Sequence, residues 1–359
     1  MSRKSSRQPG IKDIADALGI SIGTVDRALH ARPDVNPTTR ERVLRMASKL
    51  GYEPNIAARA LKLNRRIRVA VQLPKEIASF FGPLREGIRS GATAYYGAGL
   101  EMNFADYPRF GSGDMELLEK ALSEKYDGIL CAPSDAAMAG PVMDEHHRRG
   151  TAVLCVASDA PRSQRLASVA IDGYVSGAIA AELLMFTLTA PCAVATITGA
   201  LRTLDHAEKL RGFAATLALL APQLSLLPVL ESHDSPKEAY DQAKDLLERH
   251  PEMRGLYVST ANSMPVLRAV RGRKNGVPVR IITTDLFPEL TPMIESGEVT
   301  ATLYQRPFTQ GKVAVQSLLR FLVNKTLPTT ITRLAPHIVL RSNLSIFTGY
   351  VSDPASIPA

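Results

Sequence analysis

Three polar residues each close a short apolar run of this 359-residue chain. Asp159 ends TAVLCVASD, Asp285 ends VRIITTD, and Asn262 follows RGLYVST. In an alternating strand–helix protein, such places stand at the carboxyl ends of parallel strands, where ligands bind. A carboxylate there accepts two hydroxyl hydrogens, which suits the vicinal hydroxyls of a sugar or polyol. Each place equally suits a helix N-cap, because the next element starts just there, and both readings stay open. Enzyme signatures are missing. No G-x-G-x-x-G follows the first strand, and there is no G-x-x-x-x-G-K-[ST], H-E-x-x-H or G-x-S-x-G, so no catalytic residue and no cofactor is expected. His146 and His147 lie in the charged helix DEHHRRG and are read as solvated or capping rather than as metal ligands. The odd set Cys131, Cys155 and Cys192 reads as small apolar side chains of a reducing cytoplasm, not as a disulfide or metal set.

The elements that must hold these residues alternate. IRVAVQL (67–73) is a continuous apolar run suited to a buried parallel strand. PLREGIRSGATAYYGAGL follows as a helix, then GLEMNFADY, DMELLEKALSEK, YDGILCAP, TAVLCVASD and SVAIDG complete a first α/β half. A second half restarts with the helix VSGAIAAELLMFTL and the strand CAVATITG. The helix EKLRGFAATLALLA and the strands SLLPVLESH, RGLYVST, VRIITTD and TATLYQ follow. This pattern predicts an α/β core of two lobes, each a doubly wound parallel sheet. There is no Trp and only 6% aromatic residues, so the cores must be mainly aliphatic. No stretch approaches the roughly 18 apolar residues of a membrane span, and the basic N-terminus lacks the apolar run of a signal peptide. The expected location is the cytoplasm, with no membrane partner.

The charge is unevenly placed. The first 66 residues carry 14 Lys/Arg against six Asp/Glu, whereas the other 293 carry 29 of each. Within the basic part, Asp13, Ile14, Ala15 and Leu18 repeat at helical spacing and Gly19 stops that helix. Ser21 is placed to cap a second helix beginning near Ile22. Val25 and Leu29 would pack inward, leaving Ile22, Gly23, Asp26, Arg27 and His30 outside. A third helix is expected from Thr38 to Leu50, with Val43, Leu44, Ala47 and Leu50 inward and Arg40, Arg42 and Arg45 as candidate phosphate contacts. Positive charge concentrated on a helix-turn-helix is the footprint of a DNA-binding head, whose second helix enters the major groove. Ser21, Ile22, Gly23, Thr24, Asp26, Arg27 and His30 are therefore the candidate DNA contacts. Arg27 suits a guanine or a phosphate, and Asp26 a cytosine amino group. The next segment, GYEPNIAARALKL, allows only about two helical turns, too few to persist alone in water. Its Leu61, flanked by Arg59 and Lys62, suits a minor-groove wedge that kinks the duplex.

DIADALGISIGTVDRAL with TRERVLRMASKLGYEPNIAARAL resembles the head and hinge of the lactose-repressor (LacI/GalR) family of transcriptional regulators. The match runs in register from Ile11 through Leu61, and the core features extend it over nearly the whole chain. It implies homodimers on a palindromic operator, with paired hinge helices inserting two leucines, here Leu61. Asn55, Ala58, Arg59 and Lys62 would complete the hinge contacts. Asp26 and Gly23 depart from the small and polar residues common at those places, so no operator sequence is carried over. The resemblance further implies a core like periplasmic sugar-binding proteins, closing two lobes on a small molecule. The domains are then a head at 1–51, a hinge and linker at 52–66, a core at 67–350 and a disordered tail at 351–359. Within the core, one lobe takes about 67–170 plus 304–332 and the other about 171–303 plus 333–350.

In that family an Arg three residues before GF clamps the effector through a planar fork. Here the place holds Lys209, a point-charge donor, and Arg202, Asp205 and His206 in the preceding loop are its candidate helpers. The family counterparts of Asp159, Asp285 and Gln305 lie at the cleft. Phe80 and Phe81 could face a sugar ring or simply fill the core. Helices near Pro83–Ala94 and Lys237–Leu247 would present the dimer surface. The function expected is an effector-responsive repressor with a sugar or polyol effector. The alternatives are an activator or dual regulator answering a non-sugar metabolite and, further off, a periplasmic-type solute-binding protein.

Overall fold

The computed structural model describes residues 9–29, 34–50, 66–97, 99–188, 190–273 and 277–352. The chain divides into two compact units, Met1–Lys62 and Leu63–Ala359. His30 and the hinge residues Asn55, Ala58, Arg59, Leu61 and Lys62 lie outside the described residues.

The first unit holds three helices: α1 (Ile11–Leu18), α2 (Ile22–Leu29) and α3 (Pro37–Leu50). Gly19 ends α1 in the left-handed conformation, φ 65°, which a residue without Cβ adopts at no steric cost. Ile14, Ala15, Val25, Ala28, Val43 and Ala47 form the core, with Ile11, Leu18, Leu29, Met46 and Leu50 packed around it. Leu44, expected inward, is 49% exposed. Val43, Met46, Ala47 and Leu50 already make one face at spacings of three and four, and Leu44 falls about 100° away from it.

The second unit is two parallel sheets flanked by helices. In chain order, β1 (Ile67–Pro74), α4 (Ala78–Tyr96), β2 (Leu100–Tyr107) and α5 (Asp114–Lys120) come first. Then follow β3 (Gly128–Cys131), α6 (Ala136–Arg148), β4 (Ala152–Val156), β5 (Ala167–Ile171) and α7 (Gly173–Thr187). The second half runs β6 (Cys192–Thr198), α8 (Leu204–Leu220), β7 (Leu224–Leu226), β8 (Leu230–Glu231) and α9 (Pro236–Arg249). It continues with β9 (Gly255–Val258), α10 (Met264–Arg271), β10 (Arg280–Thr284), α11 (Thr291–Glu295) and β11 (Ala301–Tyr304). Last are α12 (Pro307–Asn324), β12 (Ile331–Leu334), β13 (His337–Val339) and α13 (Leu344–Ser352).

One sheet has the order β12-β5-β4-β3-β1-β2 and the other β13-β11-β10-β9-β6-β7, with β8 also on β6. Among the strands of the described residues, only β13 pairs antiparallel, with β11. The chain therefore passes between lobes three times: after Ile171, after Tyr304 and after Leu334. β12 lies wholly in the first sheet, so the last passage falls two residues beyond the expected 332.

Local readings shift in four places. α4 begins at Ala78 rather than at Pro83, which puts Phe80 and Phe81 inside the helix. SLLPVLESH is two short strands, because Pro228 interrupts the run and has no N–H for the ladder. His146 is buried, not solvated, its Nε2 2.8 Å from the Leu118 carbonyl; burial holds its pKa below the usual histidine value. α13 continues through Ser352, two residues into the stretch expected to be disordered; residues 353–359 are outside the described set.

Helix pairs clamp both lobes through glycines. A Cβ on Gly87 of α4 would overlap the Phe308 backbone of α12, and one on Gly311 would overlap the Leu84 carbonyl. In the other lobe, a Cβ on Gly177 of α7 would overlap the Lys209 carbonyl of α8, and one on Gly212 the Tyr174 carbonyl.

Candidate functional site

In the head, the Ser21 hydroxyl accepts the Thr24 backbone N–H at 3.1 Å and sits 2.9 Å from the Thr24 hydroxyl. This cap fixes where α2 starts, and so which residues face out. Ile22 is 53% exposed, Gly23 and Arg27 are exposed, and Thr24 and Asp26 are half-buried. A Cβ at Gly23 would stand 3.7 Å from Nη1 of Arg27. The guanidinium thus lies back along the helix over the glycine. The exposed Ile22 side chain and the Arg27 fork of donors supply the two chemistries that read a thymine methyl and a guanine edge. On α3, Arg42 is exposed, while Arg45 is paired with Glu41 at 2.7 Å.

In the core unit, the loops after β1, β2, β4, β6, β8, β9 and β11 converge on one cavity. Its lining includes Phe80, Phe81, Phe110, Ser158, Thr203, Asp205, His206, Lys209, Asp234, Thr260 and Gln305. The free space is about 40 Å³, room for a few waters and less than a sugar ring fills. Wider spaces adjoin it. One of about 290 Å³ lies beside the first lobe passage and includes Asp172 and Arg211. Another, of about 280 Å³, includes Glu76, Asp234, Asn262 and Glu289.

At the floor, four side chains make one network: Lys209, Gln305 and Asp285 are buried and Asp205 is half-buried. Lys209, 1% exposed, donates to Asp205 at 2.6 Å and to Gln305 Oε1 at 2.8 Å. Gln305 in turn donates to Asp285, from Nε2 at 2.6 Å and from its backbone N–H at 3.2 Å. Asp285 takes the left-handed backbone, φ 69°, rare outside Gly, Asn and Asp. Burial pushes its pKa up to about 6, although Lys209 and Gln305 pull the other way. Burial alone would lower Lys209, but Asp205, Tyr257 and Asp285 outweigh it and hold the ammonium above the ordinary lysine value. Gln310 anchors the Gln305 carbonyl at 2.8 Å. The strand-end carboxylate Asp285 is thus part of a polar floor, not a cap of α11.

The other expected residues separate. Phe80 and Phe81 are buried, 4.9 Å apart edge to face, and both line the cavity. Asp159 is engaged: Arg165 forks onto its two oxygens, and Ser168 and the Ala160 N–H add further bonds. Its carboxylate ties the β4 end to β5 through Ser168, and the residue lines the 290 Å³ space. Arg202 is exposed and lies against Gly111 of the other lobe rather than in the cavity. His206 is buried, 3.4 Å from the Thr198 hydroxyl. Asn262 donates to the Asp234 carbonyl at 2.9 Å and lies in the 280 Å³ space.

Sequence reasoning missed four contributors. Ser158 is 3% exposed, its hydroxyl has no partner among the described residues, and it lines the cavity. Asp234 follows β8 and lines both the cavity and its mouth; the strand-end rule would have found it had Pro228 not blurred that strand. Phe110 meets Phe81 edge to face, ring centroids 5.5 Å apart. Thr203 donates to the Ser134 carbonyl at 2.9 Å, a bond from one lobe to the other.

Comparison with known proteins agrees with both units. Residues 69–326 match the periplasmic binding protein domain, and residues 10–55 match the bacterial regulatory proteins, lacI family. The chain is 26% identical over 355 residues to catabolite control protein A of Priestia megaterium, covering 93% of this chain and 98% of that protein. It is 27% identical over 337 residues to the ribose operon repressor of Bacillus subtilis (strain 168), covering 89% and 94%. Among solved structures, a glucose-galactose binding protein from Geobacillus stearothermophilus superposes with a TM-score of 0.71 at 25% identity, covering 78% of this chain and 99% of that one. A basic helix-turn-helix joined to a two-lobed binding core is a regulator's architecture, and the chain belongs to the lacI family of bacterial regulatory proteins, DNA-binding transcription regulators, with a periplasmic binding protein domain as its core.

Proposed function

We propose that this chain is a repressor whose hold on a palindromic operator is set by a sugar or polyol closing the two lobes. The observation that carries the reading is the Asp205–Lys209–Gln305–Asp285 network, three of whose members line the same cavity as Phe80 and Phe81. Fixed polar groups and apolar rings in one cavity fit the polar edge and apolar face of a sugar ring. The ligand acts by preferring the closed lobes, since it shifts an equilibrium only by its differential affinity for the two forms. The names of the relatives, a ribose operon repressor among them, support the same class of effector.

DNA contact is assigned to Ile22, Gly23, Asp26 and Arg27 on α2, with Ser21 and Thr24 at its start. His30 and the hinge residues Asn55, Ala58, Arg59, Leu61 and Lys62 rest on the family resemblance. The working form is a homodimer in the cytoplasm; among the described residues, no helix is long and apolar enough to cross a membrane.

The test has two steps. Operators are first selected from a random duplex pool with the full chain. Their release is then followed by fluorescence anisotropy as neutral sugars and alditols are added. A palindromic consensus released or tightened by one of them is the expected result. A chain that selects no sequence, or whose operator complex ignores every polyol but answers a non-sugar metabolite, refutes the reading.

A further inference from the structure

The ionisable groups around the cavity are unbalanced. Lys209 is the cation in its lining, and its charge is already engaged by Asp205, with Asp285 behind Gln305. The other lining carboxylate, Asp234, is 5% exposed. One of its oxygens accepts the Thr260 hydroxyl at 2.6 Å, and among the described residues no cation stands within ion-pair distance of it. Glu76 and Glu289 add two carboxylates at the mouth, whose lining holds no cation. On the other side, Arg211 is matched by Glu208 at 2.5 Å, and the exposed Arg333 shares its lining with Asp159, Asp172, Asp205 and Glu208, which leaves the carboxylates in excess. The exposed Arg202 turns to Gly111. Beside these charges the cavity lining holds the buried hydroxyl of Ser158, which has no partner among the described residues, and the His206 ring, whose Nδ1 faces the Thr198 hydroxyl.

We infer that the effector carries no negative charge: the cleft admits neutral polyhydroxyl rings or their amino derivatives and rejects sugar phosphates and sugar acids. A phosphoryl or carboxylate group needs an unengaged cation or a set of inward donors. This cavity presents a neutralised lysine and a buried carboxylate whose remaining oxygen can only accept. Low-dielectric walls strengthen the repulsion. A hydroxyl pair or an ammonium, by contrast, donates to Asp234 and leaves the Ser158 hydroxyl a partner. The inference rests on the cleft being the effector site, as proposed above.

The first test does not require the effector. In the full chain carrying Cys192→Ser, the variants Ser158→Cys and Ala261→Cys place a thiol in the cavity lining, while Cys131 and Cys155 stay buried. Each variant is modified with methanethiosulfonates bearing a trimethylammonium or a sulfonate group, and the rates are divided by those for 2-mercaptoethanol. At low salt the cationic reagent is expected to be at least tenfold faster, a preference that shrinks as salt rises. A ratio near one, or faster sulfonate modification, overturns the inference whatever the effector proves to be. The two sites are read separately, so a Ser158 variant that fails to fold leaves Ala261→Cys to decide.

The second test is calorimetric titration of the full chain with matched pairs: ribose, glucose and galactose, each beside its phosphate ester and its sugar acid. Binding of a parent with at least tenfold weaker binding of its anionic partners is expected. An anionic partner that binds as well as its parent refutes the charge rule while leaving the sugar reading intact. If no sugar binds in either form, the sugar reading fails, and the thiol rates alone decide the charge rule.

Discussion

Replacing Asp285 with Asn should stabilise the chain at neutral pH while removing its response to effector. The carboxyl is buried and titrates near 6 in the folded protein, against 3.8 as a free side chain. Because the folded pKa is the higher one, proton binding favours the fold. That contribution is complete below about pH 4 and is lost as pH rises through about 6. Fully ionised, the group costs about 3 kcal/mol. Asn tolerates the left-handed backbone at this position and can still accept one bond from Gln305, but it forgoes the attraction of Lys209. A net gain of about 1–2 kcal/mol remains, a rise of a few degrees in melting temperature for a core of this size. Scanning calorimetry of both proteins from pH 4.5 to 8 checks it. The gap between variant and parent should open from pH 4.5 to 7 and then level off. A variant that melts below its parent at pH 7.5, or a gap indifferent to pH, would show that Asp285 is not held ionised against its burial.

Arg27→Ala should weaken operator binding by about 1–3 kcal/mol, roughly 5- to 150-fold, with the melting temperature unchanged; gel-shift titration checks the first and a thermal melt the second. A fragment of residues 67–359 carries 29 charges of each sign. It should bind the effector yet show no salt-dependent affinity for duplex DNA, since such a slope counts neutralised phosphates. Gly177→Ala should cost about 1–3 kcal/mol or more through overpacking against the Lys209 carbonyl. Denaturant unfolding measures that cost, and effector titration should show a weakened response with operator binding kept.

The strand ends were legible because a parallel sheet buried on both faces writes continuous apolar runs, and Asp285 and Gln305 fall where two of them stop. The head was legible from Gly19 and Ser21, a stop and a start two residues apart. What escaped depends on distance in space. That Arg165 occupies Asp159 follows from the fold of one turn, not from spacing. Asp234 was hidden by strands too short to show a period. Leu44 and His146 were misplaced because a single helix pattern does not say which neighbour arrives. The Thr203–Ser134 bond joins lobes 69 residues apart in sequence, and no local signal announces it.

The carbonyl that leaves no room for a side chain at Gly177 belongs to Lys209, whose ammonium anchors the cleft floor. One residue is thus tied at both ends, its head group to the cavity and its backbone to α7. Any pull on the ammonium is delivered to two locked helices at once, which act as a stiff lever rather than a compliant tether. Close-packed blocks of this kind have discrete arrangements and do not yield gradually. Variants that change the regulator's sensitivity without touching its ligand should therefore collect along the seam between α7 and α8, on residues that no inspection of the cavity would single out.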